Sequence, residues 1–140
     1  MPNNSNTFDA LVTKARQMLS CSYTPYSKYP VGAALLCKDG SVFGGCNIEN
    51  ASYGATMCAE RTAIFQAVAN GHRTFQAIAV VCKDPNSIPY PCGMCLAVMS
   101  EFFEPDTKVI IDSIKGGRMV YRLEELLPKQ FTLLEEETNK

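Results

Sequence analysis

Apolar residues recur at helical spacing near the start of the chain, at Phe8, Leu11, Val12, Ala15, Met18 and Leu19, and predict a first helix. Thr7 is placed as its N-cap, with Asp9 in the first turn. The pattern breaks between Ser22 and Pro30, where three tyrosines and two prolines are loop chemistry and Pro30 biases Tyr29 away from helix. Val31 to Cys37 is a continuous apolar run, Lys38-Asp39-Gly40-Ser41 a turn, and Val42 to Ile48 a second extended run. Together they predict a β-hairpin on an Asp-Gly turn. The paired glycines Gly44 and Gly45 predict a bulge or a close backbone approach within it.

A polar connection from Asn47 to Tyr53 leads into a second helix, with Thr56 as its cap and Asn70-Gly71 as its end. Met57, Ile64, Phe65, Val68 and Ala69 form its apolar side, and Cys58 falls in its first turn. Ala77 to Cys82 is apolar without alternation, the mark of a strand buried on both faces, and Asp84-Pro85-Asn86 breaks it. Pro91 and Gly93 open a third helix through Met94, Leu96, Val98, Met99 and Phe102, with Cys92 and Cys95 at its beginning. Apolar residues occur on nearly every side of this helix, which predicts burial within its own chain or by other subunits. Lys108 to Asp112 reads as a short strand, Lys115 to Arg118 as a turn, and Tyr121 to Leu127 as a closing segment before Pro128. Hairpin, helix, strand, helix, strand is a mixed α/β order, and predicts a three-layer α/β/α sandwich around a mixed sheet.

A chain of 140 residues has room for one domain, spanning 1–140, with the polar segment 1–6 and the charged segment 135–140 expected to fray. The hydrophobic fraction of 46% and charged fraction of 19% are those of an ordinary globular protein rather than a disordered or membrane-bound one. A polyanion partner would want a basic face, and Lys and Arg number 13 against 14 Asp and Glu, so nucleic acid is a poor first guess and small molecules are the expected partners. The opening Met-Pro-Asn-Asn-Ser-Asn-Thr lacks the pattern of a signal peptide, and a cytoplasmic location is expected. There the 7 cysteines stay reduced and read as metal ligands or redox groups before disulfides.

Cys58-Ala59-Glu60-Arg61 is answered by Pro91-Cys92-Gly93-Met94-Cys95. Three thiolates are what a catalytic zinc takes while keeping its fourth tetrahedral position open. Glu60 cannot easily share the metal with Cys58, but it can reach a water there and carry protons to and from it. Three thiolates over-neutralise a divalent cation, and helix N-termini at the cysteines together with Arg61 compensate. A Cys-x-x-Cys pair alone reads equally as a structural zinc knuckle or a thioredoxin-type redox pair. A closed structural site, however, needs a fourth ligand. His72, the only histidine, follows the helix-ending Gly71, a full helix away from Cys58, and reads as surface. Cys21, Cys37, Cys46 and Cys82 lie in or beside apolar runs and read as small core residues. Asn47 and Glu49 alternate along a strand end, so their side chains are expected to share a face, which suits sugar hydroxyls and reads equally as an ordinary polar loop.

A ligand-x-Glu followed by Pro-Cys-x-x-Cys resembles the zinc deaminases, and the rest of the chain narrows the resemblance. Tyr26-Ser27-Lys28-Tyr29-Pro30-Val31-Gly32-Ala33-Ala34, Gly45-Cys46-Asn47-Ile48-Glu49-Asn50-Ala51-Ser52-Tyr53 and both cysteine motifs are similar, in order, to blocks of the small homotetrameric cytidine deaminases. The resemblance spans Phe8 to Phe131. It implies one zinc per chain on Cys58, Cys92 and Cys95, with Glu60 as the proton shuttle and Arg61 bonding the zinc thiolates. By the same resemblance Asn47 and Glu49 hold the ribose, while Tyr29, Ala59, Tyr53 and Phe131 complete substrate pockets, the last as a lid on a neighbouring subunit. The implied reaction is hydrolysis of cytidine and 2′-deoxycytidine to uridine and 2′-deoxyuridine with release of ammonia, a step of pyrimidine salvage.

Three positions depart from the family pattern. Tyr29 stands where Phe is usual, Leu96-Ala97 where Arg-Gln is usual, and Thr132-Leu133 where Gly-Pro is usual. Leu96-Ala97 keeps open a deaminase of a modified cytosine nucleoside, of the blasticidin type. A non-enzymatic zinc-stabilised binding protein would need no shuttle carboxylate, and Glu60 argues against it. Editing of nucleic acid would be expected to show basic and aromatic residues along a strand channel.

Overall fold

The computed structural model describes residues 4–133. Helix α1 (Asn4–Gln17) begins ahead of the expected cap Thr7, so residues 4–6 are helical rather than frayed and Asp9 lies well inside the helix. Asn and Ser start helices as well as Thr does, so the polar string here offers several starting points. Residues 1–3 and 135–140, also expected to fray, lie outside the described residues. A 3₁₀ turn at Met18–Cys21 finishes the helix.

Strands β1 (Val31–Cys37) and β2 (Val42–Cys46) form the hairpin. Gly40 takes a φ of 94°, which Asp-Gly turns use, and Asp39 Oδ1 accepts from Ser41 N at 2.9 Å. Pairing of β1 and β2 runs unbroken through Gly44 and Gly45, so the glycines mark a close approach and not a bulge. A Cβ on Gly45 would lie 2.5 Å from both Ala59 O and Ala63 N, so β2 meets the next helix backbone to backbone. Strand β2 stops at Cys46, short of Ile48, which instead bridges to Tyr23 and Met57.

Helix α2 (Ala59–Ala69) leads to β3 (Phe75–Cys82), helix α3 (Gly93–Phe102) to β4 (Lys108–Ser113), and a turn to β5 (Gly117–Arg122) and the short α4 (Leu123–Leu126). The sheet order is β2-β1-β3-β4-β5, with only β3 and β4 parallel. The sequence pattern does not mark β5. Its residues are exposed or half-buried and include two arginines, so the strand exists through its pairing with β4 at the sheet edge.

Alternation along the strands sorts the core into two faces. Leu11, Val12 and Ala15 of α1 cover Ala34, Leu36, Ala79, Val81 and Ile110. On the other face α2, α3 and α4 pack Ala63, Ile64, Met99 and Leu123 against Leu35, Ile78, Val109 and Ile111. The result is the expected three-layer sandwich. A register shift between Leu36 and Cys37 lets Phe75 join the second face, where its ring lies 5.5 Å from that of Phe103. On α3 the apolar residues divide: Cys95 and Met99 are buried, Leu96, Val98 and Phe102 half-buried, and Met94 exposed.

Cys37, Cys46 and Cys82 are core residues as expected, whereas Cys21 is exposed on the 3₁₀ turn. His72 is half-buried and not free on the surface. Its ring sits edge-on to Phe43 at 5.1 Å and its Nδ1 lies 3.6 Å from Asp39 Oδ2, which braces the hairpin turn against the end of α2.

Candidate active site

Two helix starts build the centre. Cys58 and Cys92 are the N-cap residues of α2 and α3, each in extended backbone and neither bonding its own helix through its side chain. Their thiols are therefore free to point at a common spot, with the amide-rich ends of both helices behind them. Thr56, the expected cap of α2, instead accepts from Asn50 N at 3.2 Å. Cys95, in the first turn of α3, is fully buried and supplies the third thiol.

The three sulfurs lie within 4.8 Å of one another, and those of Cys58 and Cys92 are 3.8 Å apart. A tetrahedral zinc with Zn–S bonds of about 2.3 Å sets its sulfurs about 3.8 Å apart, the spacing of Cys58 and Cys92, and the third sulfur lies near enough to join them. Among the described residues no fourth His, Cys, Asp or Glu joins this group. Arg61 Nη2 donates to Cys58 Sγ at 3.4 Å, and its buried Nε has no partner of its own. A proton from Cys95, aided by Arg61, holds the Cys58 thiol down at about 5, while Cys95 is pushed well up because it gives that proton and is buried. A bound cation would draw such neighbouring thiols into the thiolate form together.

Glu60 is only 4% exposed. Burial raises its carboxyl to about 7, and the neighbouring Cys58 pushes the same way. It lines a cavity of about 240 Å³ together with Tyr29, Asn47, Ala59, Cys58 and Cys92. Ile88, Pro89 and Tyr90 complete the wall. The sequence does not single these out, although their position directly before Pro91-Cys92 makes them part of the segment that delivers a ligand. The cavity is below the about 300–1,000 Å³ of most ligand sites, so a single chain offers a small, partly open pocket.

Asn47 faces the cavity with both ends of its amide engaged, donating to Tyr29 O at 2.8 Å and accepting from Val31 N at 2.9 Å. Glu49 lies two residues on, past Ile48, whose bridges to Tyr23 and Met57 keep the backbone extended beyond the end of β2. It lines a neighbouring hollow with Tyr26, Ser27, Asn50 and Tyr53 that meets the cavity at Thr56. There its carboxylate accepts from the amides of Tyr26 and Ser27, each at 3.0 Å, and pairs with the Ser27 hydroxyl. The Ser27 contacts hold it below the usual carboxylate range. Tyr53 is 77% exposed and edge-on to Tyr26 at 6.2 Å. Phe131 lies in a different groove beside Arg73 and the end of α3, and is 83% exposed. The fold thus gathers Cys58, Cys92, Cys95, Glu60, Arg61, Ala59, Asn47 and Tyr29, and leaves Glu49, Tyr53 and Phe131 outside the cavity of their own chain.

Residues 5–111 match the family model for the cytidine and deoxycytidylate deaminase zinc-binding region. A cytidine deaminase of Halalkalibacterium halodurans is 51% identical over 122 residues, which cover 87% of this chain and 92% of the relative. The blasticidin-S deaminase of Bacillus cereus is 34% identical over 130 residues, with 87% and 90% covered. The crystal structure of cytidine deaminase from Burkholderia pseudomallei superposes with a TM-score of 0.83 at 46% identity, covering 88% of this chain and 98% of that one.

Proposed function

The chain belongs to the cytidine and deoxycytidylate deaminase zinc-binding family, and on that premise we propose that it hydrolyses cytidine and 2′-deoxycytidine to uridine and 2′-deoxyuridine with release of ammonia. The observation that carries this reading is the buried carboxyl of Glu60 beside three convergent thiols at the end of an open cavity. Cys58, Cys92 and Cys95 hold zinc, one ion per chain. Zinc supplies the Lewis acidity that brings the pKa of water toward neutrality.

Glu60 moves the protons. Its carboxyl, raised to about 7 by burial, takes a proton from water and gives it to ring nitrogen N3 as the water oxygen bonds C4; it then passes the proton of the new hydroxyl to the amino group as the C4–N bond breaks and ammonia leaves. Arg61 orients the Cys58 sulfur through its 3.4 Å bond. Asn47 keeps Tyr29 and Val31 in place at the pocket edge while presenting its amide to the ribose. The Glu49 carboxylate, carried on the Tyr26-Ser27 turn, meets a ribose hydroxyl where the hollow joins the cavity.

The pocket is completed by assembly. A 240 Å³ cavity with a side hollow leaves much of a nucleoside uncovered. Tyr53 and Phe131, both largely exposed in one chain, suit walls of adjoining pockets in a homotetramer. Reduced cysteines, of which all seven are unpaired, suit a cytoplasmic enzyme. Among the described residues no helix is long and apolar enough to cross a membrane.

A second reading, deamination of a modified cytosine nucleoside, draws on the blasticidin-S deaminase relative and on Leu96-Ala97. Leu96 turns inward against the core, leaving Ala97 exposed where the family pattern has a polar pair. Ammonia release by zinc-loaded protein from cytidine, 2′-deoxycytidine and blasticidin S separates the two readings. Turnover of cytidine and 2′-deoxycytidine above blasticidin S supports the first, and no ammonia from any of them removes both.

A further inference from the structure

Tyr29 and Ser87 are 58 positions apart, yet the phenol oxygen lies 2.6 Å from the serine hydroxyl. Tyr29 lines the cavity from the entry to β1, while Ser87 sits just ahead of the wall residues Ile88, Pro89 and Tyr90. The half-buried bond therefore ties the Tyr29 wall to the segment that leads into the wall of Ile88, Pro89 and Tyr90. Burial raises the phenol, and besides Ser87 it meets the thiol of Cys82, a weak partner already directed at Asp84 O and Ser87 O, each at 3.5 Å, while the Asp84 charge acts on it from further off. A tyrosine in the wall of an apolar pocket brings a hydroxyl that must be satisfied when the pocket dries out.

We propose that Ser87 is a positioning residue for nucleoside binding, which keeps the Tyr29 hydroxyl occupied behind the pocket wall so that a pyrimidine base can close the cavity without stranding a polar group. The inference rests on the deaminase reading above and adds a residue to it. Without Ser87 the phenol has water in the open cavity as its remaining good partner. A base that enters must then displace that water or push the ring back against the weakly bonding Cys82 thiol. The penalty falls on substrate binding and not on the chemical step, because Ser87 touches neither the thiols nor Glu60. Removing one partner of a buried hydrogen bond is costly, whereas replacing both by apolar groups is nearly neutral. The pair therefore has a signature that a merely structural contact lacks: the second deletion should repair the first.

The test is steady-state kinetics on cytidine with zinc content measured in parallel. Ser87→Ala is expected to raise KM by about tenfold, the effect of one stranded hydroxyl, with kcat changed less than about threefold and zinc retained. Adding Tyr29→Phe to Ser87→Ala is expected to recover most of that loss. A double variant as weak as the single one or weaker, or a single variant with wild-type KM, overturns the proposal. A wild-type protein that releases no ammonia from cytidine overturns the functional reading itself, and this inference with it.

Discussion

Gly45→Ala is the most informative single methyl that can be added to this protein. The new Cβ would sit 2.5 Å from Ala59 O, 2.5 Å from Ala63 N and 2.9 Å from Ala63 Cβ. Ordinary contact begins near 3.4 Å, so β2 and α2 must part by roughly 1 Å. Backbone atoms on both sides leave no flexible side chain to give way. Overpacking of this kind costs about 1–3 kcal/mol, which in a domain of this size lowers Tm by roughly 3–12 °C. The same shift moves the start of α2, and with it Cys58 and Glu60, relative to Cys92 and Cys95 at the start of α3. A displacement near 1 Å at reacting groups costs about 10²-fold in rate. Thermal unfolding of the zinc-loaded protein and ammonia release from cytidine measure the two effects separately. Removing the Ala63 methyl as well should rescue little, since the two shorter contacts are to backbone. A Gly45→Ala protein with unchanged Tm and kcat within twofold of wild type would refute the claim that this contact sets the distance between the two halves of the site.

The other expectations are more direct. Glu60→Gln keeps the fold and the zinc while kcat falls about 10²–10⁴-fold, because an amide can bond water but cannot take its proton; a loss of only a fewfold would remove Glu60 from the reaction. Cys95→Ala loses zinc on dialysis and, with it, order around the start of α3; full retention of metal would show that the ligand set is wrong. Removal of Phe131 and everything after it raises KM by about 10–100-fold, the worth of one buried aromatic ring, while zinc content holds. A fully active monomer at assay concentration in the ultracentrifuge would refute the shared pocket.

Much of this molecule was legible in its order of residues, for a physical reason. The hairpin, three of the helices and the strands β3 and β4 are read from short-range patterns: the Asp-Gly turn, the 3.6-residue apolar spacing, and the unbroken run from Ala77 to Cys82. The donor set was legible in the same way, since three thiols and a carboxylate at two helix starts depend on spacings of two or three residues that the helix itself converts into geometry. What the tertiary structure alone decided lies in contacts between distant segments. Strand β5 exists by pairing with β4, because its own half-exposed, arginine-containing pattern would not form it. Glu49 opens on the hollow beside the cavity that Asn47 lines, held there by the amides of Tyr26 and Ser27 from a distant segment. Ile88, Pro89 and Tyr90 become a wall only when α3 docks on the sheet. The Tyr29 and Ser87 hydroxyls carry no local sign of each other. Short-range patterns encode which groups can do chemistry, while the shape of the space around them is set by the packing of segments far apart in the chain.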